Sequence, residues 1–240
     1  CRDLMAKIDK SQYTKAEWKI LKEQRRQDKR LKLLANTIDV DNTSAQDTAF
    51  VIGNGKSRLP VNLEQIKTKG KVYACNAVYR TFQPDHLIAV DVKMVLEINK
   101  AGFQNNNAVW TNPNKSYQRI QNLNFFSPSK GWSSGPTALW LAAQHSYKTI
   151  YILGFDYRGE NKGQQFNNIY ADTANYKKST DSATFFGNWM RQTTTVIREN
   201  PEINFKRIIA HDNYIPDELN KFNNLEHILI DDFIKIFNLS

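Results

Sequence analysis

From residue 47 onward the sequence alternates short apolar runs with longer amphipathic segments, and this alternation restricts the fold more than any other feature. Short apolar runs bounded by polar turns are typical of buried strands, whereas the amphipathic segments have the spacing of surface helices. Strands that alternate with helices form a parallel sheet with helices on both faces. The sequence therefore predicts a doubly wound, mostly parallel α/β fold of Rossmann-like type. The predicted strands are Ala49–Ile52, Lys71–Cys75, His86–Val90, Ala108–Thr111, Asn122–Phe126, Thr149–Leu153, Asn204–Ala210 and His227–Ile230.

Between and after these strands lie the predicted helices, in a single domain that spans residues 47–240 and has no internal repeat. They are Pro60–Lys69, Val92–Lys100, Gly135–Ser146, Thr180–Asn200, Pro216–Phe222 and a short terminal helix near Asp232–Phe237. The polar segment 158–179 is too long for a routine connection. It is predicted to be a lid-like loop, with a binding loop or a disordered segment as alternatives.

Residues 1–46 form a separate basic arm and linker. Of the net charge of +9, residues 1–36 carry eleven Lys or Arg against five Asp or Glu, so the rest of the chain is nearly balanced. Residues 12–35 contain no Gly or Pro and are predicted to be a basic helix, followed by a polar linker. This helix is either solvated or docked on a protein partner, or it contacts nucleic acid. The balanced body argues against a broad nucleic-acid surface there.

Composition excludes some classes of protein. With 40% hydrophobic and 24% charged residues the chain is ordinary for a soluble domain. No apolar run approaches the ~20 residues that span a bilayer, and the first residues lack the apolar core of a signal peptide. Two cysteines, Cys1 and Cys75, form no disulfide framework, and Cys75 is predicted to be buried. These features are compatible with a cytoplasmic protein. The sequence is compatible with both a monomer and an oligomer.

The carboxyl ends of parallel strands are where a ligand is expected. The first strand ends in Gly53-Asn54-Gly55, where the glycines permit positive φ and close backbone approach. The turn either contacts a phosphate or nucleotide or is a structural βα turn. A dinucleotide fingerprint has a third glycine where this chain has Arg58, so a mononucleotide is the better prediction.

Four further positions follow strands or precede a helix on the same edge. Asn76 follows the second strand, Asp91 the third, and Asp156 and Tyr157 the sixth. Asp91 is either a helix N-cap or a site residue. The segment Ser133-Ser134-Gly135 opens a helix, and its hydroxyls and the free N–H groups of Gly135 and Thr137 suit an anion. Alternatively, Ser134 simply caps that helix.

Neither the histidines nor the acids show the spacing of a metal site, so no metal is predicted. His86, His145 and His227 are predicted to be structural. His211 follows the seventh strand and is the histidine expected on the ligand edge.

The segments "VIGNGKS", "ACNAVYR" and "SSGPTALWLAAQHSYKTIYILGFDY" together resemble the bacterial CMP-sialic-acid-dependent sialyltransferase family. They also resemble uncharacterised phage-encoded proteins with "GCNALYRD" and "NNIY…NYKKS" segments. The resemblance covers roughly residues 48–178. It implies a CMP-sugar pocket lined by Asn54, Gly55, Asn76, Ser133, Ser134, Gly135, Asp156 and Tyr157. It also implies that Tyr170 and Tyr176 hold the donor phosphate or leaving group.

The chain departs from that family at the general base. The sialyltransferases place a histidine after the lid, whereas the corresponding segment here, "NYKKSTDSATFFGNW", has none. His211, Asp91 or Asp156 would have to accept the proton instead.

Three functions follow as alternatives. The first is a glycosyltransferase-like protein that uses a CMP-type donor and no metal or other cofactor, with Lys177 and Lys178 stabilising the leaving group. The second is a catalytically inactive phage protein that docks through its basic arm, located in the host cytoplasm or the virion. The third is an archaeal-type pterin diphosphokinase with ATP and Mg²⁺.

Overall fold

The computed structural model of the chain describes residues 47–239, together with residues 14, 15, 17–19 and 21. The chain divides into two units, Cys1–Thr43 and Ser44–Ser240. In the first unit Thr14 and Glu17 form a capping box, in which each side chain accepts a hydrogen bond from the other's backbone N–H. The described residues that follow are helical, and the remainder of the predicted basic arm lies outside the described residues.

In the second unit eight strands form one sheet in which every neighbouring pair is parallel. The predicted parallel sheet is therefore confirmed. The strands are β1 Thr48–Ile52, β2 Lys71–Cys75, β3 His86–Ile88, β4 Val109–Thr111, β5 Leu123–Phe125, β6 Thr149–Leu153, β7 Asn204–Ile209 and β8 Leu225–Leu229. The last strand starts two residues earlier than predicted, and Ile230 begins the terminal helix.

Among the described residues, five helices of five or more residues accompany the sheet: α1 Leu63–Lys67, α2 Val92–Lys100, α3 Ser134–Gln144, α4 Gly187–Glu199 and α5 Ile230–Phe237. The segment Glu160–Gly163 makes one further irregular helical turn. The prediction of a helix from Thr180 was too long, because the segment before Gly187 is not helical and Ser182 pairs with Gln165 through an isolated bridge. The helix predicted over Pro216–Phe222 was wrong. There the chain makes one 3₁₀ turn, Asp217–Leu219, that buries Leu219.

Helices cover both faces of the sheet, so the doubly wound architecture is confirmed. In β1, Phe50 and Ile52 point into one core with residues of α1, α2 and α5. Ala49 and Val51 point into the other core with residues of α3 and α4. This alternation follows from the two-residue period of a strand, since both faces of a central parallel strand must be apolar.

Helix α3 is buried along nearly its whole length and packs against the central strands and α4. A helix that is apolar on all sides is held by its neighbours and has little freedom to shift. Its first turn is therefore in a fixed position at the edge of the sheet.

The strand order is β5-β4-β3-β2-β1-β6-β7-β8. Strands β2 to β5 therefore extend the sheet on one side of β1, and β6 to β8 extend it on the other side. In open α/β sheets such a switch point, here between β1 and β6, leaves a crevice at the carboxyl ends of the two strands. Among the described residues, no helix combines the length and the apolar character needed to cross a membrane.

Candidate functional site

A cavity of about 260 Å³ lies at this switch point, at the carboxyl ends of β1, β2, β3 and β6. We call it the switch-point cavity. It is lined by residues 53–55, 75–76, 90–91, 133–136, 154–158, 167–168, 186 and 189. Strands of different sequence position deliver their turns to one edge because all of them run parallel.

Nine of the twelve residues predicted for the site line this cavity: Asn54, Gly55, Asn76, Asp91, Ser133, Ser134, Gly135, Asp156 and Tyr157. Tyr170, Tyr176 and His211 are not part of its lining. The structure thus brings together the residues that follow β1, β2, β3 and β6, and the residues that open α3.

Asn54 and Asn76 each have a buried amide oxygen without a hydrogen-bond partner in the described part of the chain. Asn54 is 8% exposed, and its amide nitrogen donates to the Tyr176 hydroxyl at 3.2 Å, which leaves Oδ1 as the free acceptor. Asn76 has a positive φ of 55°, which asparagine tolerates better than most residues. A buried acceptor without a donor costs about 1–3 kcal/mol, so both oxygens favour a ligand with hydroxyl or amine donors.

The two glycines of the first turn have a steric role. A Cβ on Gly55 would lie 2.5 Å from the Asp156 carboxylate, and one on Gly53 would lie 2.5 Å from the Gly154 carbonyl oxygen. Neither glycine has positive φ, so of the two properties that glycine permits, this turn uses the close approach. The turns after β1 and β6 approach so closely that a side chain does not fit between them.

Arg58, at the place of a third glycine, is 6% exposed. Its Nε donates to the Gly53 carbonyl at 2.7 Å, and an Nη contacts the Tyr170 hydroxyl at 3.4 Å. The guanidinium therefore stabilises the turn without lining the cavity. In a dinucleotide-binding fold a glycine at this place lets the helix pack close to the turn.

The first turn of α3 differs from the prediction in its hydrogen bonds. Ser133 is the N-cap, without a side-chain capping bond, and Ser134 Oγ accepts from the Val90 N–H at 3.1 Å. The Thr137 N–H donates to the Ser133 carbonyl at 3.0 Å. The predictions that Ser134 caps the helix and that Thr137 has a free N–H were therefore wrong. The N–H groups of Ser134 and Gly135 remain unused by the helix and can bind an anion.

The two acids of the cavity are in different situations. The Asp156 carboxylate accepts from the Ser57 N–H at 3.1 Å, from the Ser57 hydroxyl and from Asn167 Nδ2 at 2.9 Å. Asp91 is exposed and makes no side-chain capping bond to α2. Asp156 thus holds neighbouring segments together, whereas the Asp91 carboxylate is open to a ligand.

Tyr157 and Cys75 contribute buried surface. The Tyr157 hydroxyl donates to Thr193 Oγ1 at 2.7 Å, and burial raises the pKa of Tyr157. The predicted burial of Cys75 is confirmed, and burial raises the pKa of its thiol to about 12. Cys75 is therefore a neutral thiol at pH 7. It is unreactive, because the reactive form of cysteine is the thiolate.

Three predicted site residues lie elsewhere. The His211 side chain is 67% exposed, and its Nδ1 lies 3.3 Å from Asp231 Oδ2. The Tyr176 hydroxyl accepts from Asn54 and from the Ala77 N–H, and the Tyr170 hydroxyl meets Arg58. Both tyrosines therefore position the wall of the cavity from outside it.

The predicted lid-like segment 158–179 is docked on the domain. The Ile169 N–H donates to the Asn54 carbonyl at 2.8 Å, and Arg80 donates to Thr173 Oγ1 at 2.7 Å and to the Ala174 carbonyl at 2.8 Å. Lys177 and Lys178 are exposed and do not line the cavity.

The lining residues that sequence reasoning missed include Arg158, Asn167, Phe186 and Trp189. Phe186 and Trp189 have helical spacing and lie within the helix predicted over Thr180–Asn200. Asn167 is one of many polar residues in a long loop. No local signal marks these positions, because their place in the cavity depends on how the loop and α4 dock.

No three side chains of His, Cys, Asp or Glu come together as a metal site among the residues described. In comparisons with protein-family models, curated proteins and solved structures, this chain has no match. The fold and the cavity are thus shown by the structure, and the sialyltransferase resemblance stays a prediction.

Proposed function

We propose that this chain is a glycosyltransferase-like protein that binds a nucleotide-linked sugar in the switch-point cavity. The observation that carries the proposal is the pair of buried amide oxygens on Asn54 and Asn76, which have no hydrogen-bond partner among the residues that the structure describes. Both residues line one cavity at the switch point of the sheet, where α/β folds bind nucleotides. The nucleoside supplies the hydroxyl or amine donors that these oxygens lack.

The other parts of a nucleotide-sugar also find complementary groups. The phosphate is placed at the N–H groups of Ser134 and Gly135, where the helix dipole favours an anion. Phe186 and Trp189 offer aromatic surface for the base or the sugar. A cavity near the lower end of the range of about 300–1,000 Å³ that small ligands occupy favours a mononucleotide over a dinucleotide. The cytidine base is taken from the motif resemblance.

In the proposed reaction the acceptor oxygen forms a bond to the anomeric carbon as the bond from that carbon to the donor phosphate breaks. The charge that develops on the departing phosphate is stabilised by the N–H groups that open α3. We assign the general base to Asp91, because its carboxylate is exposed in the cavity lining and makes no capping bond. The Asp156 carboxylate already accepts three hydrogen bonds.

Calorimetric titration with CMP, UDP, ADP and GDP tests the binding. We expect CMP to bind and Asn76→Gly, which removes the amide oxygen and tolerates the positive φ, to weaken it by about 2- to 10-fold. Asn122→Gly is the matched control, since Asn122 also has positive φ, at 61°, and lies outside the cavity lining. If none of the four nucleotides binds at millimolar concentration, the proposal is wrong.

Release of CMP from CMP-sialic acid, with water as acceptor, tests the assignment of the base. Asp91→Asn is expected to lower kcat by about 10²–10⁴-fold and to leave CMP affinity unchanged. An unchanged kcat in a variant that still binds CMP would remove Asp91 from the mechanism without affecting the binding site.

A further inference from the structure

A second cavity, of about 180 Å³, lies beside the first at the carboxyl ends of β1, β6 and β7. We call it the second cavity, and its lining contains three basic and three acidic residues. It is lined by residues 56–57, 156, 158, 160, 167, 207, 209–210, 212 and 214. Asp156, Arg158 and Asn167 line both cavities, so a molecule in one lies next to a molecule in the other.

Arg207 is the buried cation of this cavity, with 3% of its surface exposed. Its Nε donates to the Phe155 carbonyl at 2.9 Å, and its Nη atoms donate to the carbonyls of Tyr214 and Asp156 at 3.3 Å each. These are backbone oxygens. In the described part of the chain no carboxylate accepts a hydrogen bond from this guanidinium.

A guanidinium has five N–H donors, so these three bonds leave donors for a further partner. Burial lowers the pKa of Arg207, because removing a charge from water without an anion is costly. The carboxylate of Asp156, which also lines the cavity, is occupied by Ser57 and Asn167. The buried charge therefore favours an anion from outside the chain.

Two more cationic side chains, Lys56 and Arg158, lie at the rim of this cavity. Lys56 Nζ lies 3.9 Å from Glu160 Oε2, and Arg158 pairs with Asp212. Their side chains are 35% and 33% exposed, and those of the acids 43% and 50%. Exposed ion pairs of this kind contribute little, so a ligand anion can compete with Glu160 and Asp212 for both cations.

We propose that the second cavity is a subsite for an anionic group, a carboxylate or a phosphate, carried by the acceptor substrate. Arg207 is its buried contact, and Lys56 and Arg158 contact the anion from the rim. The assignment to an acceptor rests on the proposed function, whereas the anion site itself does not. Because the two cavities share lining residues, an acceptor bound in the second cavity lies next to a donor bound in the switch-point cavity.

The test uses the full chain, with inorganic phosphate and acetate as probes. Each anion is titrated calorimetrically and by NMR of the arginine Nε–H groups, with and without saturating CMP. We expect millimolar binding that shifts the Arg207 signal and persists in the presence of CMP. Tighter binding of phosphate than of acetate assigns a phosphate-bearing acceptor, and the reverse assigns a carboxylate.

Substitutions locate the anion. Lys56→Gln is expected to weaken phosphate binding about 3- to 5-fold, since Lys56 lines the second cavity but not the switch-point cavity and is partly exposed. Arg207→Gln is expected to weaken it more than about 10-fold. Because Arg207 also holds two turns and its variant is at risk of not folding, Lys56→Gln decides the test. Lys115→Gln, at an exposed lysine outside both cavities, is the control.

The outcomes separate this subsite from the proposed function. Phosphate that binds in the absence of CMP and is lost when CMP is added occupies the first cavity, and the subsite is then wrong. The same holds if neither anion binds, or if Lys56→Gln and Lys115→Gln behave alike. If CMP fails to bind while phosphate binding depends on Lys56, the anion site stands and the nucleotide-sugar proposal fails.

Discussion

At the scale of single residues, the asparagines and glycines of the strand ends have separate roles. Asn54 and Asn76 carry the free acceptors of the cavity, whereas Gly53 and Gly55 let the turns after β1 and β6 approach each other. A glycine-rich turn at a strand end is usually attributed to ligand approach. Here the glycines face the Asp156 carboxylate and the Gly154 carbonyl.

A substitution at Gly55 tests this steric role. Gly55→Ala places a Cβ 2.5 Å from the Asp156 carboxylate and is expected to lower the free energy of unfolding by about 1–3 kcal/mol, measured by urea denaturation. The same substitution in an Asp156→Ala background should cost clearly less, because the clashing carboxylate is gone. Equal costs in both backgrounds would show that the close approach is not what requires glycine.

At the scale of elements, segment 158–179 is held by an ion-paired clamp. Arg80 bonds both carboxylate oxygens of Glu97 at 2.8 and 2.7 Å, and Glu97 also accepts from Tyr79 at 2.6 Å and Asn175 at 2.6 Å. The Arg80 guanidinium lies over the ring of Tyr176 at 5.7 Å. A polar stretch that looks like a free lid in sequence is thereby fixed beside the cavity.

Breaking the clamp should loosen this segment. Glu97→Gln is expected to increase hydrogen exchange at the amides of Asp172, Thr173 and Tyr176 by about 10-fold or more, because charged hydrogen bonds contribute about 1.5–3 kcal/mol. These amides bond within the segment, so their exchange reports its opening. Glu202→Gln, at an exposed residue, is the control. Equal exchange in the two variants would contradict the role of the clamp.

The clamp also has a pH dependence with a defined sign. The hydrogen bonds from Arg80, followed by those from Tyr79 and Asn175, lower the pKa of Glu97 to about 2. A lowered carboxylate pKa contributes stability that is present above the unfolded value near 4.5 and is lost as the pH falls towards 2. Protection of the same amides should fall over this range in the wild type and change less in Glu97→Gln.

At the scale of the whole molecule, half-buried histidines link stability to pH. The His86 ring stacks on Tyr73 at 4.6 Å, its Nδ1 accepts from Trp110 at 3.3 Å, and the ring of His145 lies 5.5 Å away. Burial, followed by the neighbouring His145, lowers the pKa of His86 to about 4, with Asp85 and Lys71 acting in opposite directions. Burial also lowers the pKa of His145.

We expect the free energy of unfolding to fall as the pH decreases from about 6.5 to about 4. In this range the unfolded chain binds protons that the folded histidines exclude, and His86 alone accounts for on the order of 2 kcal/mol. Urea denaturation across the range measures the slope, and His86→Phe, which keeps the ring stack, should flatten it. His211→Phe is the comparison, at a histidine that is 67% exposed. Equal flattening in both variants would exclude His86 as the cause.

The sequence by itself determined the eight strands, their parallel arrangement and the polar residues that end β1, β2, β3 and β6. It did so because strand burial and strand ends leave local patterns of apolar and polar residues. It also predicted nine residues that line one cavity.

The tertiary structure alone decided which groups in that edge are free. The Asp156 and Ser134 side chains bond to neighbouring segments, and Tyr170, Tyr176 and His211 lie outside the cavity. Arg207 is buried, and none of the described carboxylates accepts a hydrogen bond from it. Some of these hydrogen-bond partners lie far apart in the chain, 36 residues for Tyr157 with Thr193 and 122 residues for Asn54 with Tyr176. No local pattern encodes such pairs, because they exist only when distant strand ends and loops pack against one another.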